Sequence, residues 1–163
     1  MANTHSTDLE FSSSQYWSVA DASQAGLDFS DDLLFSMWVK FERVNIGQPF
    51  LAKSDAAGQR SYIWIADNDG AGGNIDTLVF QRSDDGTNTN AVVVAWAPSA
   101  GVWYHVAFTK DGTACKFFVD GAQVGTTQTM SGSANIFNST ADFVIGRQGT
   151  SGGVSANYFD GLI

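Results

Sequence analysis

Trp103-Tyr-His-Val-Ala-Phe-Thr-Lys-Asp-Gly-Thr-Ala-Cys-Lys-Phe-Phe-Val-Asp-Gly121 holds two runs of strand-forming residues joined by Lys110-Asp111-Gly112. A second Asp-Gly pair, Asp120-Gly121, closes the stretch. Asp-Gly between alternating apolar runs predicts a hairpin, because a tight primed turn needs positive φ at its central residues. In the first run Tyr104, Val106 and Phe108 share one face, and Trp103, His105 and Ala107 share the other. In the second run Cys115, Phe117 and Val119 oppose Lys116, Phe118 and Asp120. Bulky residues on both faces suit the middle of a curved, two-layered sheet better than a one-sided hairpin.

The same period of two recurs outward from this hairpin. Upstream, Leu34, Ser36, Trp38 and Lys40 alternate with Phe35, Met37, Val39 and Phe41, which predicts a strand over 33–41. Residues 61–66, 77–82 and 91–96 read as further strands, and 8–20 as two short extended pieces. The turns between them are polar and glycine-rich, such as Asp67-Asn-Asp-Gly-Ala-Gly-Gly-Asn-Ile-Asp76. Downstream, residues 126–135 are rich in Ser, Thr and Gly and read as a long connection. No amphipathic helix of three turns is visible. Short strands at regular spacing with turns between them predict an all-β, two-sheet antiparallel sandwich.

Four blocks together resemble a known family. Trp103-Tyr-His-Val-Ala with Phe117-Phe-Val-Asp-Gly121, Leu34-Phe-Ser-Met-Trp38-Val-Lys40, Asp142-Phe-Val-Ile-Gly146-Arg147, and Tyr158-Phe-Asp-Gly161-Leu-Ile163 stand in this order. They resemble the laminin G-like jelly rolls of the concanavalin A-like lectin/glucanase superfamily. The resemblance implies one jelly-roll domain over residues 1–163, ending inside the family's last conserved strand, with Trp38 and Trp103 at core positions. It also implies that the C-terminal block leaves a sheet edge to be covered by the N-terminal segment, solvated, or filled by a neighbouring subunit through self-association.

Composition narrows the function classes. A chain of 163 residues with 44% hydrophobic residues can bury a sizeable core. The formal charge of −9, from 17 acidic and 8 basic residues, argues against a nucleic-acid partner, which needs a basic surface. It equally disfavours an anionic membrane surface, and no apolar run approaches the roughly 20 residues of a membrane span. The start, Met1-Ala-Asn-Thr-His-Ser-Thr, lacks the basic and apolar parts of a secretory signal. Cys115 is the single cysteine and reads as a small buried hydrophobe.

Glycosidase chemistry needs two carboxyl groups roughly 5–9 Å apart across the scissile bond. The chain has two glutamates, Glu10 and Glu42, each isolated in its neighbourhood, and no strand presents two carboxylates at i, i+2 or i, i+4 except at turn edges, so the expectation is a protein that is not an enzyme. His105, between Trp103 and Ala107, reads as structural, its ring bonded to backbone. Calcium is the expected cofactor, since hard cations take several oxygens from acidic, glycine-bent loops. Asp67, Asp69 and Asp76 are its candidate ligands, and Asp28-Phe-Ser-Asp31-Asp32 is a second acidic turn. Tyr62 and Trp64 share a face opposite Ile63 and Ile65. If the isoleucines fill the core, the two rings form an outward stacking platform for a glycan. The alternative places both rings under a covering loop.

The expectation is therefore a non-catalytic recognition or adhesion module with a glycan or surface polysaccharide as partner, at a cell exterior or a phage or virion surface. The competing class is an assembly protein that packs its sandwich against other subunits.

Overall fold

The structure is a computed structural model, and it describes residues 5–24, 26–55, 58–68, 75–149 and 157–163. Twelve strands occur among them. They are β1 (Asp8–Leu9), β2 (Trp17–Val19), β3 (Leu33–Phe41), β4 (Gln48–Ser54), β5 (Arg60–Asp67) and β6 (Thr77–Arg82), then β7 (Asn90–Ala95), β8 (Trp103–Asp111), β9 (Ala114–Val119), β10 (Ala122–Thr129), β11 (Phe143–Ile145) and β12 (Gly161–Leu162). They form two antiparallel six-stranded sheets, in the orders β1-β12-β3-β8-β9-β10 and β2-β11-β4-β5-β6-β7. This is the antiparallel sandwich that the alternation predicts and the jelly roll that the resemblance implies.

The deciding stretch becomes β8 and β9, with Phe108 opposite Phe117. Its first turn differs by one residue from the sequence reading. Asp111 pairs with Ala114, so the two loop residues are Gly112 and Thr113, and only Gly112 carries positive φ (53°). The Asp120-Gly121 turn has the expected pair of positive φ angles, 51° and 81°. Both suit two-residue hairpins, the first with glycine leading and the second in the fully primed form. Val106, Phe108, Cys115 and Phe117 are buried, while Val119 is half-buried against the core.

Residues 122–129, partly read as connection, form β10 along β9. The strand's Gln and Thr side chains are largely exposed and its ladder with β9 shifts register between Val124 and Gln128, so no apolar alternation marks it. At the other edge, β12 lies between β1 and β3. Thr7 and Ile163 exchange backbone hydrogen bonds of 2.9 and 3.0 Å. Of the three outcomes for the C-terminal block, cover by the N-terminal segment is the one realised.

Aromatic rings fill the space between the sheets. Phe80 stacks on Phe108 at 4.1 Å, Phe108 meets Phe117 at 4.9 Å, and Phe50 meets Trp64 edge-on at 4.9 Å. Three cations are buried at this level, each against a carboxylate: Lys53 with Asp21 and Asp28, Arg82 with Asp84, and Lys110 with Asp31. A buried charge persists only when paired in this way. Asp28 and Asp31, read as a possible calcium turn, are thus committed to lysines, and Asp32 accepts the Gly112 N–H at 2.7 Å.

Candidate functional site

The alternation in β5 is as read, but its faces are reversed. Tyr62 (1% exposed) and Trp64 (0%) lie between the sheets, so neither forms a stacking platform. The Tyr62 hydroxyl donates to the Leu27 carbonyl at 2.9 Å, and burial, with Asp28 nearby, pushes the phenol well above its ordinary pKa. Ile63 and Ile65 point to the opposite face, where they cluster with Ala52, Val79 and Val144. The large rings take the intersheet space because their inward neighbours are also large: Trp64 stands opposite Phe80 and Leu51. The outer cluster has only small or branched aliphatic partners.

Trp38 and Trp103, expected in the core, sit on the outer face of their sheet, with Trp38 49% exposed. The inward positions of β3 belong to Leu33, Phe35, Val39 and Phe41. Trp38 stands opposite His105, with ring centroids 5.3 Å apart. His105 is fixed through its backbone, whose N–H donates to the Asp120 carboxylate at 2.8 Å and whose carbonyl accepts the Asp120 N–H at 2.8 Å.

In the acidic turn, Asp67 ends β5 opposite Thr77, and the Asp76 N–H donates to Asn68 Oδ1 at 3.2 Å. The Asn68 amide also donates to the Val44 carbonyl, and the Asp67 carbonyl accepts the Thr77 hydroxyl at 3.2 Å. Asp69 lies outside the described residues.

Carboxylates converge elsewhere. Oxygens of Asp8, Glu10 and Glu42 all lie within 4.8 Å of one another. The two glutamates are remote in sequence and meet because β12 joins β1 to β3. The Glu10 carboxyl is raised above its ordinary pKa, first by the charge of Glu42, then by desolvation, Asp8 and Asp160. Isolation of the glutamates, the sequence argument against paired carboxyls, does not hold in space.

Beside this cluster lies the arrangement best suited to a small polar ligand. Tyr16 and Trp17 are exposed, Trp17 by 59%. Tyr16 forms a wall common to two cavities. One, of about 380 Å³, is lined by Thr7, Asp8, Leu9, Ser14, Gln15 and Trp17, and the other, of about 250 Å³, includes Asp55, Thr140, Asp142, Val144 and Arg147. The Arg147 guanidinium lies over the Tyr16 ring at 4.8 Å, and its Nε is buried without a hydrogen-bond partner among the described residues. Gly146 (φ 80°) ends β11 and lets Arg147 leave the ladder to bridge Tyr158, whose ring is 6.1 Å from Tyr16. A side chain at 146 would run into Leu9. Next to β2, Lys53 holds Asp21 at 2.6 Å and keeps its carboxyl below the ordinary value, with Gln24 assisting. Sequence reasoning missed this site because Tyr16 and Arg147 are distant in the chain. The signal available was an aromatic pair in a polar stretch.

Residues 11–163 match the Laminin_G_3 family of the concanavalin A-like lectin/glucanases superfamily. The chain belongs to this family. No curated protein sequence matches it. Among solved structures it is similar to the Ruminococcus gnavus IT-sialidase CBM40 bound to α2,3-sialyllactose, at 15% identity and a TM-score of 0.69, over 98% of this chain and 85% of that one. It is also similar to domains LG4-5 of the mouse laminin α1 chain, at 16% identity and 0.60, over 96% and 39%. Domain 4 of the Geobacillus stearothermophilus arabinanase AbnA, in complex with arabinotriose, gives 21% identity and 0.56, over 84% and 59%. At these identities the likeness establishes the jelly roll, as the four sequence blocks imply.

Proposed function

We propose that this jelly roll is a non-catalytic glycan-binding module and that Tyr16, Trp17 and Arg147 carry the contact. The observation that carries the reading is the Tyr16 wall, with a guanidinium on one side and an exposed indole on the other. Sugars present an apolar C–H face and a rim of hydroxyls, so they need flat rings beside fixed polar groups. Here Trp17 and Tyr16 supply the rings, Arg147 the donors, and Asp142 and Thr140 acceptors along the same cavity. Two solved structures of similar fold, holding sialyllactose and arabinotriose, support the class of ligand.

The test is a glycan array followed by calorimetry on the best ligand. Trp17→Ala should weaken binding at least about tenfold, the effect of losing roughly 1.4 kcal/mol of stacking. Trp38→Ala, on the other sheet's outer face, should leave binding unchanged. Loss of binding in the Trp38 variant alone would move the site to that face.

The Glu10–Glu42 approach favours a second reading, glycoside hydrolysis. Against it, Asp8 and Glu42 are exposed, and mutual charge outranks desolvation in raising Glu10. Release of reducing sugar from the array's best ligand, abolished by Glu42→Gln, would establish hydrolysis instead.

A further inference from the structure

We infer that the Tyr16 site selects an uncharged, hydroxyl-rich glycan and disfavours sugars that carry a carboxylate. This inference rests on the glycan-binding reading and specifies its ligand. It starts from where the chain's cations go. Arg43, Lys53, Arg82 and Lys110 each lie within 3.1 Å of a carboxylate. Arg60 donates to the Thr87 carbonyl at 2.6 Å. Lys40 is in register with Asp8 across β12 and Lys116 lies on β9, and neither lines a cavity beside Tyr16. Arg147 is therefore the one cation lining either cavity beside Tyr16 among the described residues.

Around it the carboxylates outnumber it. Asp55 and Asp142 share its cavity. Asp8 lines the adjoining one, with Glu10 and Glu42 held against it. Carboxylates lining both cavities against one guanidinium, on a chain of net charge −9, give this region a negative potential. A carboxylate ligand drawn to Arg147 would enter beside Asp142 and meet like charge. A neutral sugar meets no such penalty. Its C–H face rests on Tyr16 or Trp17, one hydroxyl accepts from Arg147, and its neighbour donates to Asp142. Carboxylate and guanidinium then serve the same ring in complementary roles. The solved structure of similar fold that holds sialyllactose takes an acidic sugar, so the two should differ in ligand charge.

The experiment uses the full chain on an array of matched neutral and sialylated oligosaccharides, with calorimetry on any bound pair. We expect the neutral member to bind, and the sialylated partner to bind at least about fivefold more weakly at low salt. Near 1 M salt, where the screening length falls to about 3 Å, the gap should close to within about twofold. Asp142→Asn should narrow the gap at low salt and leave the neutral ligand's salt dependence flat. Tighter binding of sialylated members, weakening as salt is added and lost in Arg147→Met, would overturn the inference while leaving the glycan reading intact. Binding to neither class would remove the glycan reading itself, and the inference with it.

Discussion

Truncating Phe117 probes the packing that holds the two sheets together. Its ring is 1% exposed and stands on β9 opposite Phe108. Phe108 in turn stacks on Phe80 of the other sheet, so Phe117 ends a line of three rings that crosses the sandwich. Phe117→Ala removes the ring and leaves a cavity that rigid strands on both sides cannot close. The expected cost is about 3–5 kcal/mol, including about 0.5–1.5 kcal/mol for the ring pair. For a chain of this size that lowers the melting temperature by about 6–20 °C. Phe117→Leu refills most of the volume and should cost about 1–2 kcal/mol. Lys116→Ala, one residue away on the exposed face, should stay within about 0.5 kcal/mol. Guanidinium unfolding measures all three, with the midpoint moving at constant slope. A Phe117→Ala variant within about 1 kcal/mol of the parent refutes the reasoning. So does a leucine variant as unstable as the alanine one, because the cost would then not follow volume.

Asp21 and Asp85 are held below the ordinary aspartate value of 3.8, by Lys53 and then Gln24 in one case and by the Thr87 N–H and Asn88 in the other. A lowered carboxyl contributes stability above its unfolded pKa and loses it as pH falls through the folded one, so acid titration should destabilise the fold below about pH 4. Lys53→Met should show its largest stability deficit at neutral pH, shrinking in acid. A deficit that grows in acid contradicts the pairing. Calcium, proposed at Asp67, Asp69 and Asp76, should raise the melting temperature at millimolar concentration and fail to do so in Asp69→Asn. An unchanged melting temperature retires that proposal. With β12 paired on both sides, light scattering should give the mass of one chain, whereas a concentrated sample of oligomers would point to self-association through another edge.

Much of the architecture was legible because burial imposes a period of two. The bounds of β3 follow from its alternation. β10 escaped because an exposed edge strand of Gln and Thr carries no such imprint. Alternation also divides a strand into two faces without saying which is inside. Ile63 and Tyr62 are both acceptable in a core, and the decision falls to the partners that other strands bring. The family resemblance, by which Trp38 and Trp103 take core positions, put both on the wrong face. The candidate site was the least legible part. Tyr16 meets Arg147, and Glu10 meets Glu42, through sheet order, a property of the whole chain that no local window contains.

The bonding of Thr7 to Ile163 brings the two ends of the described fold to one point on one edge. A domain with adjoining ends can be spliced into a surface loop of a host protein without stretching either partner. It can also be closed on itself by a short linker, which would shrink the unfolded ensemble and add stability without a new contact in the folded state. In a string of copies, the connecting chain would leave each unit beside its Tyr16 wall, because Thr7 lines that cavity.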